Sequence, residues 1–300
     1  MMPRTHRFPE KILLATDGSG DAALALRAAV DLSVRAGSEL HLVHAWRAFP
    51  PYSHPAVAVA TEVAPYEREG ERVLFEQLDE VEAHGGTVAG AHLKRGQPVE
   101  VICDLAEELG AGLVVLGSRG LGPVERLLMG SVSEGVIDLT TRPVLVARGG
   151  EDAWPPSRVV VGDDSSPGAR RAAELAAGIA ALVGAEMLLV RALPVVLDVS
   201  EAGRFAEDAA LPRSVVLAHH ELSLQARARR MEEASGLRPR VRVREGEAAS
   251  IILQAAEEDE GPALVAVGRR GLGKLERLRL GSVSTKVLRA AVEPVLVCPS

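Results

Sequence analysis

The chain is poor in aromatic residues, with four Phe, two Tyr and two Trp among 300 residues. So few rings exclude a base-stacking platform of the kind that grips single-stranded nucleic acid. Basic charge is not in excess either: 34 Lys and Arg stand against 41 Asp and Glu, for a formal charge of −7. A surface built to coat DNA or an anionic membrane needs the opposite balance. Cysteine is scarce. Cys103 and Cys298 lie far apart and outside any CxxC pattern, which excludes a disulfide framework and fits a reducing compartment. They read as two small buried hydrophobes. No apolar run approaches the roughly 18 residues of a membrane span. The opening MMPRTHRFPEKILLATDG has no apolar stretch ending in a small-residue cleavage site. A soluble cytoplasmic protein that binds neither nucleic acid nor membrane is expected.

What the chain does have is a repeat. Residues 117–147, GSRGLGPVERLLMGSVSEGVIDLTTRPVLVA, align without a gap to residues 268–298, GRRGLGKLERLRLGSVSTKVLRAAVEPVLVC, and match at 17 of 31 positions. The two halves also begin alike, KILLATDGS (11–19) against RVVVGDDSS (158–166). Between them RGGEDAWPPS carries the Gly-Gly and Pro-Pro punctuation of a linker. Two copies of one domain are therefore expected, over residues 8–148 and 158–300, joined by 149–157. A hydrophobic fraction of 47% is enough for both cores.

Within each copy short apolar runs alternate with helical patterns. ILLAT, ELHLVHA, TVAGAHL, GLVVLG and PVLVA read as strands, and RVVVG, EMLLVRA, RVRVRE, ALVAVG and PVLVC repeat them. Runs that are apolar without alternation suit a parallel sheet covered by helices on both faces. Val99, Ile102, Leu105, Ala106 and Leu109 form a helical stripe, as do Ile251, Ile252, Ala255 and Ala256. The fold class is α/β, two tandem doubly wound domains with right-handed crossovers. Residues 47–65 and 194–212 follow strand two in each copy and are long for connections. They emerge where ligands bind in this architecture. Two readings stand, a lid over a ligand and a plain variable loop.

The glycine pattern points to chemistry. Gly117-x2-Gly120-x9-Gly130-Ser131 recurs as Gly268-x2-Gly271-x9-Gly281-Ser282, each directly after an apolar strand and ending where a helix begins. Glycine lacks a Cβ, so backbone N–H groups can approach phosphate oxygens and the chain can adopt φ > 0. The helix that follows offers free amides and a favourable dipole to an anion. Ser131-Val132-Ser133-Glu134 has the form of a capping box, which its counterpart Ser282-Val283-Ser284-Thr285 lacks. The plainer alternative is that these glycines only permit tight turns and the serines only cap. Arg119 and Arg270 sit inside the glycine loops, either as phosphate cations or as solvated charges.

With these motifs both copies resemble universal stress protein domains of the nucleotide-binding subgroup. The resemblance rests on the glycine signature, on the Asp-x-Ser after strand one (Asp17-Gly18-Ser19 and Asp163-Asp164-Ser165) and on the final VLV strand. It implies a five-stranded parallel sheet of order 3-2-1-4-5, with ATP, accompanied by Mg²⁺, bound between strands one and four. Carried over by position, the adenine contacts fall on Asp17 with its neighbours Ala15 and Thr16, and near Ala45. The ribose and phosphate contacts fall on Gly117, Gly120, Gly130, Ser131, Val132 and Ser133. In the second copy they become Val161, Gly162, Asp163, Ala192, Gly268, Gly271, Gly281, Ser282, Val283 and Ser284, with Asp164 placed opposite Gly18. The resemblance also implies a homodimer, joined through the edges of the final strands.

Rival sites lack their motifs. There is no GK[ST] of a P-loop, no GxGxxG after strand one and no GxSxG nucleophile elbow. His41 and His44 fall on opposite faces of a strand, and the adjacent His219 and His220 diverge around a helix, so zinc is poorly supported. His44 reads as a packing residue. The glycine cradle comes without a recognisable base, which favours an ATP-binding stress regulator. A slow ATPase and an interaction module with empty loops are the alternatives.

Overall fold

A computed structural model describes residues 8–48, 63–120, 129–195, 212–258, 260–269 and 280–300. They divide into two compact units, Phe8–Pro155 and Pro156–Glu276 with Leu280–Ser300. The first unit runs β1 (Lys11–Ala15), α1 (Gly20–Ala36), β2 (Glu39–Trp46), α2 (Ala64–Ala83), β3 (Val88–Arg95), α3 (Pro98–Glu108), β4 (Leu113–Gly117), α4 (Ser131–Leu139) and β5 (Val144–Ala147). The second repeats it as β6 (Arg158–Gly162), α5 (Pro167–Val183), β7 (Glu186–Leu193), α6 (Arg213–Ser235), β8 (Arg240–Glu245), α7 (Ala248–Glu257), β9 (Ala263–Gly268), α8 (Ser282–Ala290) and β10 (Val295–Cys298).

In the first unit the strands lie in the order β3-β2-β1-β4-β5, and in the second β8-β7-β6-β9-β10. Every pair within each unit is parallel. The alternation of elements predicts such a doubly wound sheet, and the order is the one that the resemblance implies. The chain moves one way from β1 to β3 and the other way from β4 to β5. Right-handed crossovers therefore put α1 and α2 on one face and α3 and α4 on the other. The direction reverses between β1 and β4, leaving a crevice at their carboxyl ends.

The strands read as apolar runs because both faces are covered: Ile12, Leu13, Leu14, Val114 and Val115 are fully buried, as are Val159, Val160, Leu264 and Val265. Helix α1 starts at Ser19, whose side chain accepts from the Ala22 amide, and stops at Gly37 in the left-handed region (φ 68°). Helix α5 copies both devices with Ser166 and Gly184. The stretch read as a linker holds a short 3-10 turn at Glu151–Ala153. There Trp154 Nε1 donates to Asp31 Oδ2 of α1 at 3.0 Å. No helix among the described residues is long and apolar enough to cross a membrane.

Candidate functional site

The first unit has a cavity of about 290 Å³ at the carboxyl ends of its strands. All eleven first-copy positions singled out from the sequence line it: Ala15, Thr16, Asp17, Ala45, Gly117, Arg119, Gly120, Gly130, Ser131, Val132 and Ser133. The pairing explains the convergence, since β1 sets Ala15 beside Val43 of β2 and beside Leu116 of β4. Sequence reasoning missed the apolar wall, made by Val43, Leu116, and Pro98 and Ile102 of α3. It also missed Arg47, which lines the cavity and donates to Gln97 Oε1 at 2.6 Å. The cavity is thus lined both by apolar side chains and by the glycine loop, serines and Arg119.

Of the two expected reasons for these glycines, positive φ does not apply. Gly117, Gly120 and Gly130 are absent from the positive-φ positions, which include Gly18 (76°). Close approach of backbone is what demands Gly117. A Cβ on Gly117 would sit 2.7 Å from the Asp21 carbonyl carbon and 2.8 Å from the Ala22 amide, against the backbone of α1. A Cβ on Gly120 would sit 2.2 Å from Asp17 Oδ2. Gly268 repeats the first of these contacts, with Ala169 N at 2.7 Å.

The expected capping box does not form. The N-cap of α4 is Gly130, without a side-chain cap bond, and Ser131 is already helical. A glycine N-cap leaves the first-turn amides without a side-chain acceptor, the condition under which a helix start takes an anion. Ser133 turns back instead, donating to the carbonyls of Gly117 (2.8 Å) and Ser118 (3.2 Å). The Gly130 amide also bonds the Ser118 carbonyl at 2.8 Å. The glycine loop is gripped from α1 as well. Ser19 Oγ donates to the Arg119 carbonyl (3.2 Å), and Arg119 donates from Nε and Nη2 to the two Asp21 oxygens (3.1 and 3.4 Å). Asp17 Oδ1 accepts the Ser19 amide at 3.0 Å.

In the second unit the same loop is held by Ser284, which donates to the Arg269 carbonyl at 2.7 Å, and by Gly281, N-cap of α8. Arg270 and Gly271 lie outside the described residues. The end of β6 corrects the correspondence expected between the copies. Gly162 pairs with Val190 as Ala15 pairs with Val43, and Asp163 N bonds Val190 O as Thr16 N bonds Val43 O. Asp164 Oδ1 then accepts the amide of the N-cap Ser166 at 2.9 Å, as Asp17 does with Ser19. Asp164, not Asp163, stands at the place of Asp17. Gly162, not Val161, stands at that of Ala15. Asp163 takes the place of Thr16, fully buried and bonded to Arg191 Nη2 (2.6 Å) and to Arg227 Nη1.

The family model for universal stress proteins matches this chain twice, over residues 9–148 and 156–299. The chain belongs to the universal stress protein family. A universal stress protein of Mycobacterium tuberculosis is 31% identical over 95% of this chain and 96% of its own length. One from Mycolicibacterium smegmatis is 28% identical over 95% and 96%. The crystal structure of a universal stress protein from Archaeoglobus fulgidus shares the fold, with a TM-score of 0.69 at 24% identity over 98% of this chain and 97% of that one.

The remaining polar candidates of these universal stress protein domains bond to their neighbours. His44 Nδ1 donates to the Thr16 carbonyl (2.9 Å), and Thr16 Oγ1 donates to Gln77 of α2 (2.8 Å). His41 and His92 bond each other through Nδ1 and Nε2 at 3.3 Å. No group of three metal-ligating side chains occurs among the described residues. Burial pushes the Cys103 thiol up to about 11 and the Cys298 thiol up to about 12. Neither forms the thiolate that reactivity requires near neutral pH.

Proposed function

We propose that this chain binds ATP in the crevice of its first unit and acts as a nucleotide-dependent regulator of the stress response, not as a turnover enzyme. The observation that carries this reading is the convergence of the eleven first-copy positions on one cavity. Its apolar wall of Val43, Pro98, Ile102 and Leu116 suits a base, while Gly117, Gly120 and the start of α4 suit phosphates. Asp17 is the carboxylate on the cavity wall. It suits Mg²⁺ arriving with the phosphates, since that ion is commonly held by one or two carboxylates and the phosphates themselves. The second unit repeats Gly268, Gly281, Ser282 and Ser284 in the same elements and is proposed as a second site, with Asp164 as its carboxylate.

Asp17 also favours one second reading, a slow ATPase in which this carboxylate orients a water. Two measurements on the purified chain separate the possibilities. Acid extraction followed by chromatography should release adenine nucleotide, and excess ATP with Mg²⁺ should then bind without sustained phosphate release. Sustained turnover would replace the regulator with the ATPase. Failure to bind added nucleotide would leave an interaction module.

A further inference from the structure

We propose that Asp21 positions Arg119 for the ligand's phosphates, a device that the first crevice carries and that the second half lacks at the matching place. The proposal rests on the ATP reading above and adds a residue that no motif marks. Arg119 lines the cavity between Gly117 and Gly120, the end where phosphates are proposed to sit. Its guanidinium meets Asp21 side-on, Nε to one carboxylate oxygen and Nη2 to the other. Such a two-point contact fixes the plane of the fork, whereas a single bond would leave it to rotate. The Arg119 backbone is fixed as well, through its carbonyl and Ser19 Oγ. An arginine side chain otherwise loses much of its rotamer freedom when it is ordered. Here that ordering precedes the ligand.

Asp21 is suited to the task by its place in the fold. It lies in the first turn of α1, where the helix dipole favours a negative charge, and its side chain is 16% exposed. The same turn packs against Gly117, so one short segment sets both the start of the glycine loop and the direction of its cation. In the second unit the residue two places after the N-cap Ser166 is Gly168, which offers no carboxylate. The two crevices therefore differ in phosphate reading while sharing their glycines.

The test titrates the whole chain with ATP and with adenosine, in Mg²⁺, comparing wild type, Asp21→Ala, Arg119→Ala and the double variant. Asp21→Ala should weaken ATP binding at one site per chain about tenfold, the scale of one charge-assisted contact. Adenosine binding should be unchanged. The double variant should bind ATP no more weakly than Arg119→Ala. If Asp21→Ala does not fold, Asp21→Asn keeps the shape without the charge and should show a smaller loss of the same selectivity. Tighter or unchanged ATP binding, equal losses for ATP and adenosine, or additive losses in the double variant would overturn the positioning role. A wild type that binds neither compound would overturn the ATP reading itself, and the positioning role with it.

Discussion

At the end of β1 the first half places Thr16, Asp17, Gly18 and Ser19, and at the end of β6 the second half places Asp163, Asp164, Ser165 and Ser166. The backbone path is the same, including a left-handed third residue, Gly18 at φ 76° and Ser165 at φ 65°. The means of holding it differ. In the first half Thr16 is bonded to Gln77 and His44. In the second, Asp163 is locked between Arg191 and Arg227, and Arg191 also donates to Ser165 Oγ at 2.7 Å. A turn of the same shape has been rebuilt from hydrogen bonds into an ion cluster, while the loops beside it kept the glycines at 117, 120 and 130 as those at 268, 271 and 281. The duplicated fold thus keeps the path of this turn while the residues that hold it are replaced.

The sharpest way to break this comparison is to remove its buried charge. Asp163→Ala leaves two arginines facing each other in a nearly closed site and should cost about 3–5 kcal/mol. Thr16→Val removes the two hydrogen bonds of Thr16 Oγ1, to Gln77 and from the Gly18 amide, and should cost about 1–2 kcal/mol. Urea denaturation of the whole chain, with hydrogen exchange followed separately in α6 and α2, checks both. Equal costs would mean that the ion cluster contributes no more than the hydrogen bonds of Thr16.

Glycine at the strand ends comes next. Gly117→Ala and Gly268→Ala each drive a methyl group into helix backbone, which does not yield as a flexible side chain would. Each should cost about 1–3 kcal/mol. Fold stability, and not ligand affinity alone, is therefore expected to fall, with a lower denaturation midpoint at unchanged slope. An alanine variant of wild-type stability in either half would contradict the contact.

The smallest effect concerns acid. Glu247 caps α7, its carboxylate accepting the Ser250 amide at 2.8 Å with Lys286 at 3.1 Å, and these bonds hold its pKa at about 2. A carboxyl depressed in the folded state stabilises above its ordinary value near 4.5. That stability fades as pH falls from about 4.5 through about 2. Gln97, the N-cap of α3, makes no side-chain cap bond and does not titrate. Between pH 5 and 2.5 the first turn of α7 should lose protection relative to that of α3, and Glu247→Gln should abolish the difference.

Much of this was legible in the sequence because the signals have simple physical causes. Strands covered on both faces leave apolar runs, and all ten stand where those runs predict them. The glycine motif marked backbone that lines the cavity, although close approach and positive φ leave the same residue in the sequence, and only the fold separates them. Pro98 and Ile102 carried no signal, since an apolar residue that walls a cavity has the pattern of one that fills a core. Asp21 looked like an ordinary first-turn acid. The slip between Asp163 and Asp164 has a plain origin: Asp-x-Ser fits both Asp163-Asp164-Ser165 and Asp164-Ser165-Ser166, and the strand pairing with β7 decides between them.

The central claim, ATP in the crevice of the first unit, is tested most directly by hydrogen exchange with and without saturating ATP and Mg²⁺. Amides of residues 117–120 and 130–133 should slow on adding nucleotide, together with those at the end of β1 around Asp17. Unchanged exchange in all three segments, or protection confined to residues outside the cavity wall, would contradict it.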